Sequence, residues 1–291
     1  MRFDTEAEYL REQVLAAERG KRKRRSSYMT VHTCGLCLEE KNLQSSHFMP
    51  AAMYKIALES DGQPPIILTK NKKLQTSKQA QTPLLCSACE GLFNKRGENW
   101  VLSHCWQADG SFPLRDVLKG IAPAYTKPGF MIFDTVGIAD LDHDRLIYFA
   151  ASIFWRASVH DWHLVETNPA LNLGPYAEEL RLYLLDKAEF PTNAALAVSA
   201  SWENDVRAAA MSKFPYLKNH LNGTEQFNFL MNGLTFDLFV GTNLSAAQRG
   251  MCLQRGPNRP IFVADAAQAQ IIKEFGKMDS SARPSGKLKE Q

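Results

Sequence analysis

The sequence predicts an α+β protein, with a small metal-binding module on the N-terminal side and a larger mixed domain after it. Three observations carry this. Two Cys-x-x-Cys pairs, Cys34-Gly35-Leu36-Cys37 and Cys86-Ser87-Ala88-Cys89, supply four thiols in two close sets. A run after Asp142 places Leu146, Phe149, Ala150, Ile153, Phe154 and Trp155 at helical spacing. Further on, Asn232-Gly233 separates two apolar segments, the strongest short-range signal for a β-hairpin. With 291 residues, 45% of them hydrophobic and 22% charged, the chain can bury a substantial core in one or two domains.

Cys34, Cys37, Cys86 and Cys89 are the predicted metal ligands. Two residues between ligands let both sulfurs of a pair reach one Zn²⁺ at ~2.3 Å, and two pairs complete a tetrahedron. Disulfides or redox dithiols fit less well, because the chain shows neither secretory features nor a thioredoxin-like strand–helix–strand context. Cys105 and Cys252 are left as free thiols. Between the pairs lies His47, followed by Phe48, Met49 and Pro50. Glu90 follows the last cysteine directly. A helix beginning near Cys86 would align Glu90, Asn94 and Glu98 on one face at spacing i, i+4, i+8, with Cys89, Phe93 and Trp100 turned inward.

This order of motifs resembles the HNH, or ββα-metal, nucleases, and among them the zinc-stabilised, endonuclease VII-like branch. The resemblance covers roughly residues 32–106 and implies a treble-clef/ββα-metal module. In that family the four cysteines hold a structural zinc, the loop histidine activates the attacking water, and the residues before the histidine and after the last cysteine bind the catalytic Mg²⁺. Carried over, Cys34, Cys37, Cys86 and Cys89 hold zinc, His47 is the general base, and Glu90, with Asn94 or Glu98, binds Mg²⁺ or Mn²⁺. The usual Asp before the histidine is Ser46 here, a weaker ligand for a hard cation. The sequence between Cys37 and Cys86, 48 residues, is longer than in small family members. A set of uncharacterised bacterial proteins sharing Ser-His-x-x-Pro, Cys-x-x-Cys-Glu and a later Trp-Arg helix, here Trp155-Arg156, is also similar.

The expected activity is hydrolysis of DNA phosphodiester bonds, with a role in bacterial defence by family analogy. The rival expectation is a non-catalytic zinc module that holds nucleic acid or a protein, joined to a sensing or dimerisation domain. Charge distribution favours a nucleic-acid partner: residues 1–99 carry 16 Lys+Arg against 11 Asp+Glu, whereas the remainder carries 18 against 20. The basic run at 19–25 and Lys70, Lys72, Lys73 and Lys78 are the predicted phosphate contacts. No stretch approaches the ~20 apolar residues of a membrane span, and the first residues lack a signal-peptide core, so a cytoplasmic protein is expected.

In order, the pattern predicts a helix over 5–19 and a basic arm, together 1–27, then the zinc module at 28–108. Within it a hairpin over 28–46 is expected, with Val31 and Leu43 on its strands. A helix after Pro50, a strand at 66–69, a mobile lysine loop at 70–78 and the zinc-anchored helix at 87–103 follow. The second domain, 109–275, is read as a strand at 130–133, a helix capped by Asp140 or Asp142 and running to 159, and a helix at 175–186. Strands at 194–201, 227–230, 234–240 and 261–263 and a helix at 266–275 complete it. His160 and His163 read as surface residues rather than a second metal site. The tail, 276–291, is expected to be disordered, and homo-oligomerisation is assigned to the second domain.

Overall fold

The computed structural model describes residues 31–56, 64–69, 71–202 and 211–286; the helix expected at 5–19, the basic run at 19–25 and Lys70 lie outside them. The fold is mixed α+β, with the four cysteines together near its N-terminal side. Strands β1 (His32–Thr33) and β2 (Glu40–Lys41) form a short hairpin around Cys34 and Cys37. Strand β3 (Leu43–His47) then turns away and pairs antiparallel with β6 (Gln81–Cys86). The expected 28–46 hairpin is therefore divided: Leu43 lies opposite Cys86, and this long-range pairing brings the second cysteine pair to the first.

Pro50 precedes α1 (Ala51–Ile56). Strands β4 (Ile66–Leu68) and β5 (Lys72–Gln75) pair across a turn that Thr69 closes, its Oγ1 accepting the Lys72 N–H at 3.0 Å. Within the segment expected as a lysine loop, Lys72 and Lys73 thus lie on a strand, while Lys78 lies beyond it. Strand β6 runs directly into α2 (Ser87–Phe93), a π-helical turn (Asn94–Glu98) and α3 (Asn99–His104).

After α4 (Pro113–Lys119) come β7 (Tyr125–Lys127), β8 (Phe130–Phe133) and α5 (His143–Val159). Asp142 caps α5 by accepting the Arg145 N–H at 3.0 Å, one of the two caps expected. Buried residues occur on every side of α5, the pattern of a helix at the centre of a core. One side meets the sheet through Phe149 and Phe154, whose rings lie 6.3 and 5.0 Å from Phe229. The other meets α2, where Phe93 lies 6.0 Å from Tyr148 and 5.9 Å from Trp155. Each such side chain contributes about 1.5–3 kcal/mol by leaving water.

Strands β9 (Trp162–His163) and β10 (Thr167–Asn168) form a small ladder before α6 (Tyr176–Leu184). The main sheet adds β11 (Ala194–Ala200), β12 (Ser212–Leu221), β13 (Thr224–Met231), β14 (Leu234–Val240) and, after α7 (Ala246–Gly250), β15 (Ile261–Ala264). Its order is β12-β13-β14-β11-β15-β8-β7, antiparallel except where β11 meets β15.

Helix α8 (Asp265–Ser281) and β16 (Arg283–Ser285) follow. The segment expected to be disordered from 276 is instead helical to Ser281, and β16 then pairs parallel with β5. One continuous hydrophobic core runs from Cys34, Cys86 and Cys89 through α5 to Val263, so the cysteine module and the larger part are packed together. Phe48, next to His47, stacks on Trp162 at 4.7 Å across that junction.

Candidate metal centre and its surroundings

The first cysteine pair sits in the β1–β2 turn. Cys34 donates its N–H to the Glu39 carbonyl, Leu38 donates back to the Cys34 carbonyl, and Leu38 takes the left-handed conformation that lets the chain reverse. Gly35 donates to the Leu84 carbonyl, tying this turn to β6. The second pair spans the junction of β6 and α2. One sulfur from each of Cys34, Cys37, Cys86 and Cys89 lies within 4.8 Å of all the others. A tetrahedron of ~2.3 Å metal–sulfur bonds has edges of ~3.8 Å, so small side-chain adjustments close the set around one ion such as zinc.

The donor set itself calls for a cation. Burial alone would push the Cys34 thiol up, but the backbone N–H groups of Cys86, Cys37 and Leu36 outweigh it and bring it down to about 7. The Cys86 N–H reaches the Cys34 sulfur at 3.3 Å. Burial, joined by the Cys34 sulfur, raises Cys37, and burial together with the Cys86 and Cys34 sulfurs raises Cys89. Four thiolates this close cannot all ionise unless positive charge lies among them. All four are free thiols, as are Cys105 and Cys252.

His47 ends β3, half-buried, opposite Gln81. Ser46 is buried, and its Oγ accepts the Leu85 N–H at 3.0 Å beside a register shift between Gln44 and Ser45. Successive strand residues face opposite ways, so His47 is turned to the other side of the strand from Ser46.

The single face expected for Glu90, Asn94 and Glu98 does not form. The π-helical turn adds a residue to the helical period, leaving Asn94 exposed while the Glu98 side chain is only 7% exposed. Gly97, inside that turn, packs where an added Cβ would lie 2.9 Å from the Phe149 Cα and N. Glu98 points to Arg156 of α5, its Oε1 2.7 Å from Nη2, and Glu90 Oε2 lies 3.9 Å from the same nitrogen. Arg156 is 1% exposed and stands 4.7 Å above the Phe93 ring. The 2.7 Å contact lacks hydrogen-bond alignment: Glu98 Oε1, Glu90 Oε1 and Arg156 Nε and Nη1 find no hydrogen-bond partner among the described residues. Glu98 is therefore a counter-ion in the core, whereas Glu90 keeps 21% exposure.

Among the described residues the four cysteines form the only group of His, Cys, Asp and Glu close enough to hold a metal ion. His163 instead contacts Thr167 through Nδ1 at 3.0 Å, and the His160 ring meets Trp162. Lys73 pairs with Asp279 at 3.2 Å, while Lys72 and Lys78 are exposed. Sequence reasoning missed Arg181 of α6, which donates Nη1 to the Leu36 carbonyl inside the first cysteine turn at 2.6 Å. Its spacing from Glu178 reads as an ordinary helix-surface pair and gives no sign of that contact.

No protein-family model matches this chain, and neither a curated protein nor a solved structure gives a significant match. No helix among the described residues is long and apolar enough to cross a membrane.

Proposed function

We propose that the protein is a zinc-stabilised nuclease of the HNH type that hydrolyses DNA phosphodiester bonds, with His47 as general base and Glu90 as the protein's ligand for a catalytic divalent ion. The observation that supports this reading is the antiparallel pair of β3 and β6 running directly into α2, with the four cysteines at its base. That unit carries His47 at the end of one strand and Glu90 in the first turn of the helix, so folding around zinc fixes how the two are related. His47 would take a proton from the attacking water. Mg²⁺ or Mn²⁺ would neutralise charge on the phosphate as the bond breaks. Asn94, exposed on the same helix, is free to assist Glu90, whereas Glu98 is committed to Arg156. Lys72 and Lys78 would add affinity without reading sequence.

A second reading has its own support. The Ser46 hydroxyl is occupied by the Leu85 N–H, and the nearby Arg156 charge opposes a cation at Glu90. Both fit a module that binds nucleic acid or a protein without cutting. Incubation of the purified full chain with supercoiled plasmid and Mg²⁺ or Mn²⁺ separates the two. Wild type should nick the plasmid, His47→Ala should lose at least 100-fold in rate with zinc content intact, and Glu90→Gln should need more Mg²⁺. Cleavage that survives His47→Ala would remove His47 as the base, and no cleavage by wild type of duplex DNA, single-stranded DNA or RNA would leave the non-catalytic reading standing.

A further inference from the structure

Two arginines from the larger part of the molecule reach the two cysteine segments, one by a hydrogen bond to the first turn and the other by a 3.9 Å ion pair to the residue after the second pair. Arg156 of α5 lies against Glu90, the residue after Cys89. Arg181 of α6 donates to the carbonyl of Leu36, between Cys34 and Cys37. The Arg181 side chain is 12% exposed, and its Nε and Nη2 are fixed by the two Glu178 oxygens at 2.7 Å each, so the guanidinium is set before it meets the turn. Leu36 C=O belongs to the peptide whose N–H is that of Cys37, so the contact falls on the backbone of the cysteine turn itself. A cation on the oxygen polarises the peptide and strengthens its N–H as a donor. Four thiolates around one divalent ion carry a net charge of about −2, which Arg181 is placed to offset from outside the ligand set.

We propose that Arg181 and Arg156 make α5 and α6 a metal-responsive clasp, in which filling the four-cysteine site with a zinc-class ion seats the N-terminal module on these helices. Arg181 is a positioning residue of this centre. The clasp does not depend on whether the module cuts nucleic acid, and its test uses none.

The full chain would be stripped with a chelator and titrated with Zn²⁺ against a chromophoric competitor, with hydrogen exchange of the α5 and α6 amides followed in parallel. Wild-type α6 should gain protection as zinc binds. Arg181→Met, which keeps the apolar stem and removes the charge, should weaken zinc affinity 10–100-fold. At saturating zinc its α6 should no longer respond, because coupling between two sites is reciprocal. Glu178→Gln, on the surface, should give a smaller loss by freeing the guanidinium. Zinc affinity of Arg181→Met within twofold of wild type would overturn the proposal. So would wild-type α6 exchange that ignores zinc, a measurement that decides the matter even if the variant does not fold.

Discussion

Arg156 stands almost wholly buried between two carboxylates and above one aromatic ring, a costly arrangement unless every charge has its partner. Removing the cation alone strands Glu98 in the core. Arg156→Met should therefore cost about 3–5 kcal/mol, and adding Glu98→Gln should recover a substantial part. Urea unfolding of the two single variants and the double variant measures this, and strictly additive losses would show that the pair is not coupled.

A second buried polar group gives the fold a pH dependence. Thr135 Oγ1 donates to the Arg259 carbonyl and so accepts from His143 Nε2, at 2.8 Å. The neutral ring already satisfies this link. Burial, and then the Arg259 charge, hold the His143 pKa below its ordinary value. The unfolded chain thus binds the proton more readily, and the stability this site contributes is full above about pH 6.5 and falls as pH drops toward and through the lowered value. Wild type should lose more stability between pH 7.5 and 5.5 than His143→Gln, which keeps a donor without the titration; identical losses would remove His143 as the cause. The cysteine set is legible in the sequence because ligand spacing is written there; Glu98 stands out in the sequence too, but as a ligand for a divalent ion and not as the counter-ion of Arg156. The partners of Arg156, Arg181 and His143 are set by how distant segments pack: the α2 and π-helical segment for Arg156, the first cysteine turn for Arg181 and two loops for His143.

At the scale of elements, local signals were read well where they are self-contained. Asn232 and Gly233 both take positive φ between β13 and β14, the turn that the dipeptide specifies. Asn222-Gly223 makes the same turn between β12 and β13, though the strand before it carries a weaker signal. Pro215 and two register shifts in β12, an edge strand, blur the alternation that would have marked it. The helix after the second cysteine pair has nearly the length that the sequence predicts, but the sequence gives no sign of its π-helical turn, because that turn answers to Phe149 on another helix. Gly97→Ala would push a methyl against Phe149 backbone, which cannot rotate aside as a side chain can. A loss of about 1–3 kcal/mol is expected, larger than at Gly91, where an added methyl meets nothing within 4 Å. Thermal melts of both variants test this, and equal shifts would mean that the helices separate easily.

For the molecule as a whole, the decisive feature is that the four-cysteine cluster and the sheet share one core. The sequence placed a boundary near residue 108, since glycine, proline and polar residues gather there and local patterns cannot register packing between distant segments. In the structure Cys34, Cys86 and Cys89 belong to the same buried cluster as Phe229 and Val263, with Phe93, Tyr148 and Trp155 between them. Loss of an ion held by these cysteines should therefore be felt throughout. Zinc bound by four thiolates supplies on the order of 10 kcal/mol of folding free energy, and for a chain of this size each kcal/mol moves the midpoint by about 2 °C. Chelation, or Cys86→Ser, should accordingly lower the melting midpoint by on the order of 20 °C in a single transition, with near-ultraviolet signals from Trp155 and Trp162 lost together with those of the N-terminal module. Calorimetry with and without chelator provides the comparison. An upper transition that keeps its midpoint when the metal is removed would mean that α5, α6 and the sheet fold without the cysteine module, and that the shared core is a contact between two independent units.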